Sequence, residues 1–96
     1  MDETTFNDSL KLDTPPQGMS DLLQSLWWDM KGDWDTAHRI AQGIPSEKGS
    51  AVHAYLHRKE GDLGNASYWY NRAGRAVGSG TLDEEWKSLL EEMLAD

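Results

Sequence analysis

Gly32-Asp33-Trp34-Asp35-Thr36-Ala37 and Gly61-Asp62-Leu63-Gly64-Asn65-Ala66 are two versions of one phrase, 29 residues apart. In each copy a Gly ends one helix. The Asp after it caps the next helix, and the small Ala inside that helix lets two helices approach closely. Internal repetition at such a period marks a repeat architecture, in which each unit buries its apolar face against a neighbour. The expected fold is therefore all-α: two tandem antiparallel helical hairpins followed by a C-terminal capping helix.

Working outward from the two turns, the apolar periods place the helices. The first runs from Pro16 or Ser20 to Lys31, with Met19, Leu22, Leu23, Leu26, Trp27 and Met30 on one face and Trp28 off it. The second runs from Asp33 to Gln42, with Trp34, Ala37, Ile40 and Ala41 inward. Pro45-Ser46 opens a third that ends near Glu60 and carries Ala51, Val52, Tyr55 and Leu56. The fourth presents Leu63, Ala66, Tyr70 and Ala73 and stops at Gly74. After a flexible link, Thr81 and Glu84 form a capping box. Leu82, Trp86, Leu89, Leu90 and Met93 then make an amphipathic helix over about residues 81–95. Two hairpins are too few to bury a solenoid core, so this last helix is expected to cover the exposed face of the fourth, with Trp69 packed under Trp86. Residues 1–18, with Pro15-Pro16 and Gly18 and no helical period, read as a flexible arm, which leaves residues 19–96 as a single domain.

Composition narrows the chemistry. The 96 residues contain no Cys, which removes disulfides, thiolate metal sites and Cys nucleophiles. The net charge of −8 lies at the two ends, while residues 31–75 carry seven bases against five acids. That core suits an anionic ligand or an acidic peptide. The overall field repels a nucleic-acid backbone, so no nucleic-acid partner is expected. The opening residues lack the basic and apolar regions of a signal peptide, and no apolar run approaches the roughly 20 residues of a membrane span. A cytoplasmic location without membrane contact is the expectation.

Gly61-Asp62 followed by Ala66, Tyr70 and Ala73 resembles the second half of a tetratricopeptide repeat, and Gly32, Asp33 and Ala37 match an earlier copy. The Leu-Gly pair usual in the first helix of that repeat is replaced by Gln24-Ser25 and His53-Ala54, and the closing Pro is missing. Residues 27–38, 53–62 and 65–74 also resemble a group of small microbial proteins without an established activity. The first resemblance implies a helical module that binds a peptide or protein in the groove between hairpins. The second implies fold rather than function.

The most pointed constellation is on the third helix, where His53, His57 and Glu60 fall on one face. Two imidazoles and a carboxylate at that spacing can hold a divalent metal, or can hydrogen-bond Tyr70 and the backbone instead. His38, on the second helix, approaches them if the second helix packs on the third, and three His would make a better metal site. Arg58, Lys59 and Arg72 supply charge for an anionic group, with Tyr55 beside them. The expected ligand-binding set is thus His53, Tyr55, His57, Arg58, Lys59 and Arg72, working without metal or cofactor on a peptide or protein. The alternative is a metal- or small-anion-binding protein centred on His53, His57, Glu60 and Arg58. No Gly-x-Ser-x-Gly elbow and no phosphate loop is present, and Asp33 and Asp62 are accounted for as helix caps.

Overall fold

The computed structural model describes residues 1–96 and is all-helical, with no strand. Its six helices are α1 (Glu3–Ser9), α2 (Asp21–Met30), α3 (Trp34–Gln42), α4 (Glu47–Glu60), α5 (Leu63–Arg72) and α6 (Leu82–Leu94). No helix is long and apolar enough to cross a membrane.

The repeated phrase folds into the same turn twice. Gly32 and Gly61 take left-handed φ values of 90° and 91°, a region open to Gly because it has no Cβ. The Gly32 N–H donates to Asp29 O and the Asp33 N–H to Trp28 O. One repeat later, Gly61 donates to Arg58 O and Asp62 to His57 O. The Asp33 carboxylate then accepts from the Thr36 N–H, and the Asp62 carboxylate from the Asn65 N–H, so each Asp starts the next helix. The remaining caps are equally local. Ser20 and Ser46 cap α2 and α4, and Thr81 with Glu84 closes a full capping box on α6.

Helices adjacent in sequence pack on one another in the order α2 on α3, α3 on α4 and α4 on α5. Gly49 permits the last of the sharp approaches before α4, because a Cβ there would lie 2.2 Å from the Ile44 carbonyl oxygen. Leu26, Trp27, Val52, Leu56 and Leu90 form the middle of the core.

Two expectations are corrected. The last helix does not cover α5: α6 packs on α1, α2 and α4, where Trp86 donates through Nε1 to Leu26 O. Trp69 is accordingly free of Trp86 and stacks elsewhere, as described below. The N-terminal residues also differ from a flexible arm. They carry the short helix α1, whose Phe6 is fully buried and meets Trp86 with ring centroids 6.0 Å apart. Ser9 Oγ accepts from Trp27 Nε1, and Lys31 Nζ donates to the carbonyls of Leu10 and Leu12. Burying one aromatic ring stabilises by about 1.5–3 kcal/mol and adds to these hydrogen bonds in holding a segment too short to form a helix alone.

Candidate metal centre

The α3–α4 packing brings three imidazoles together. His38 comes from the middle of α3, and His53 and His57 sit one turn apart on α4. Their ring centroids are 4.6–4.9 Å apart. Nε2 of His38 lies 2.9 Å from Nε2 of His53 and 3.3 Å from Nε2 of His57. His53 and His57 are 3% and 6% exposed, while His38 is half-buried.

Two Trp side chains hold the rings from outside. Trp34 stacks on His38 at 4.8 Å, with 12° between planes, and is itself fixed by donation from Nε1 to Leu56 O. Trp69 stacks on His53 at 4.0 Å. Glu60 completes the set, its Oε1 lying 2.6 Å from His57 Nδ1. Burial, reinforced by His38 and His57, lowers the pKa of His53 to about 4. Burial also lowers that of His38, with His57 adding to the effect and Glu60 and Asp35 opposing it.

Proton bookkeeping makes this cluster unusual. A neutral imidazole has one N–H and one lone pair. The Glu60 carboxylate accepts a hydrogen bond from His57 Nδ1–H, so neutral His57 offers a lone pair at Nε2, toward His38. If His38 Nε2 carries a proton, that proton serves one neighbour and not both. If it carries a lone pair, that lone pair accepts from His53 but faces the lone pair of His57. In either case one of the two short contacts has no hydrogen bond while all three rings are neutral. A metal ion that accepts all three lone pairs removes the conflict, whereas an extra proton on His57 does not, because the one lone pair of His38 Nε2 would then face two donors. Metal–imidazole bonds of about 2.0–2.1 Å in tetrahedral geometry separate their nitrogens by about 3.3 Å, against 2.9 and 3.3 Å from His38 Nε2 to its two neighbours. Glu60 on His57 Nδ1 is the outer carboxylate that such a ligand ordinarily has.

The other expected site residues fall elsewhere. Tyr55 is buried, donating to Asp29 Oδ2 at 2.9 Å, and Lys59 reaches the other oxygen of the same carboxylate at 2.9 Å. Burial and the adjacent Asp29 push the Tyr55 pKa far up. Arg58 pairs with Glu85 at 2.7 Å and donates to Gly80 O. Tyr70 donates to Glu85 and so is not the partner of either His. Arg72 lies over Trp69 and donates to the Tyr68 hydroxyl. The structure therefore brings His53, His57 and Glu60 together with His38, and Tyr55, Arg58 and Lys59 into separate contacts. Sequence reasoning missed Asp29, which is 3% exposed on α2, and the two stacking Trp. Asp29 precedes the first Gly-Asp turn by three residues, on an otherwise apolar helix face, which is the signal that was available. Comparison of the chain with family models, curated proteins and solved structures finds no match.

Proposed function

We propose that this protein binds one divalent transition-metal ion through Nε2 of His38, His53 and His57, with a fourth coordination position left open. The carrying observation is the convergence of three Nε2 atoms that hydrogen bonds alone do not satisfy once Glu60 has fixed the His57 proton. Nitrogen-only ligands favour zinc, copper, nickel or cobalt over magnesium and calcium. An open position on three His is also the arrangement in which a bound metal activates water. The reading is tested on the purified chain by metal analysis and by cobalt substitution, with absorption bands of tetrahedral cobalt as the signature. One metal per chain, lost in His38→Ala and His57→Ala, is the expected result. A chain that takes up no stoichiometric zinc, cobalt or copper at neutral pH overturns it.

A second reading is a tetratricopeptide-like module with tandem antiparallel hairpins that binds a peptide or protein in the groove between them. The two equivalent Gly-Asp turns support it. It draws less support from its contact residues, because Tyr55 and Arg58 are engaged by Asp29 and Glu85 of the chain itself. A partner captured by the wild type and retained by His38→Ala would favour this reading over the metal centre.

A further inference from the structure

A cavity of about 330 Å³ adjoins the histidine cluster, between the start of α4 and the face of α5. Its size is that of a small-molecule site. His53 and Ser50 line it, and both are nearly buried, at 3% and 8% exposure. His53 uses Nε2 toward His38, and no protein atom partners its Nδ1. Ser50 Oγ has no protein partner either. No side-chain nitrogen or oxygen in the molecule is both fully buried and unpartnered, so these two atoms are reached from the cavity they line. Trp69 and Arg72 form the α5 wall, with the guanidinium 5.3 Å from the indole centroid. Glu47 stands on the α4 side. Arg72 and Glu47 carry opposite charges, and neither is in an ion pair, whereas Arg58, Lys59 and Arg75 all are.

A cavity with one unpaired cation, one unpaired carboxylate and two unsatisfied polar atoms fits a ligand that carries both signs of charge. We propose that it binds a small zwitterion of the free α-amino-acid class. The carboxylate of the ligand lies on Arg72 and His53 Nδ1, where the Arg fork suits it, and the ammonium group is directed to Glu47 and Ser50 Oγ. In one respect this rests on the metal centre. A metal on His53 Nε2 forces the ring proton onto Nδ1, making that atom a donor to the carboxylate. Metal and amino acid then strengthen each other's binding, as linkage requires.

The test is a titration of the full chain, metal-free and zinc-loaded, with glycine and serine, followed by amide and indole NMR shifts. Acetate and ethylamine, each with one of the two charges, are the controls. Saturable shifts at Ser50 and Trp69 with both amino acids are expected, tightened at least threefold by zinc. Acetate and ethylamine should bind at least tenfold more weakly. Arg72→Leu and Glu47→Gln should each lose at least tenfold in amino-acid affinity with zinc stoichiometry unchanged. Absence of saturable shifts in both metal states overturns the proposal, as does wild-type affinity in Arg72→Leu. Acetate binding as tightly as glycine overturns the zwitterion assignment. If zinc does not bind at all, the metal-free titration decides the cavity by itself, and the failure counts against the metal centre alone.

Discussion

The Glu60 carboxylate sits 2.6 Å from His57 Nδ1, one turn along α4, and in the neutral ring an N–H donated there leaves the opposite nitrogen as a lone pair toward His38. An exposed acid thereby decides the chemistry of a buried ring.

Glu60→Ala should therefore weaken zinc binding about 10–100-fold, the usual cost of losing an outer-shell carboxylate. Unfolding of the metal-free protein should become easier by about 1–3 kcal/mol, because the nearly buried His57 Nδ1–H loses its acceptor. Isothermal titration with zinc and urea denaturation of the metal-free chain measure the two effects separately. Equal zinc affinity in wild type and variant would mean that Glu60 does not orient the ring.

The metal-free protein should lose stability as pH falls. The His53 pKa is about 4 in the folded chain and about 6.5 when unfolded. Between those values the unfolded chain binds a proton that the folded chain refuses, so unfolding is favoured as pH drops through that window. The slope from this one group is about 1.4 kcal/mol per pH unit. His53→Gln removes it. Urea midpoints measured at neutral pH and in mild acid, wild type against variant, should converge as the medium becomes more acid, and parallel pH profiles would contradict the assignment.

Asp29 links α2 to α4 through Tyr55 and Lys59 and lies away from the three imidazoles. Asp29→Ala leaves the Tyr55 hydroxyl buried without its acceptor, which should cost about 1–3 kcal/mol. Adding Tyr55→Phe should recover part of that loss, because the orphaned hydroxyl is then gone. Zinc affinity should be unchanged in both variants. A large loss of zinc binding in either one would tie this network to the metal centre.

The parts of this structure legible in the sequence are those fixed within a few residues. Gly61-Asp62 specifies its own turn and cap, so the helix boundaries at both copies, and at Ser46 and Thr81, could be read directly. His53, His57 and Glu60 share a face by helical spacing alone. The contribution of His38 depends on the rotation and slide of α3 against α4, which no periodicity encodes. The apolar face of α6 states that it needs a partner and not which one; Phe6, on a helix of 7 residues, offered too short a period to reveal the partner that helped decide it.

The repeat itself can be tested at three glycines. Gly32 and Gly61 hold left-handed φ with the same pair of backbone hydrogen bonds, so an added Cβ is strained at both although neither has a neighbour within 4 Å. Alanine at either should cost about 1–2 kcal/mol, the penalty for left-handed backbone. The two losses should agree within about 0.5 kcal/mol and add in the double variant, because separate turns do not share partners. Gly64 lies inside the first turn of α5 with open space around it and no positive φ. Alanine there should instead stabilise by up to about 1 kcal/mol through helix propensity. Urea denaturation of the four variants decides the matter. A Gly64→Ala chain less stable than wild type, or Gly32→Ala and Gly61→Ala losses differing severalfold, would show that the two copies of the phrase are alike in sequence without being equivalent in the fold.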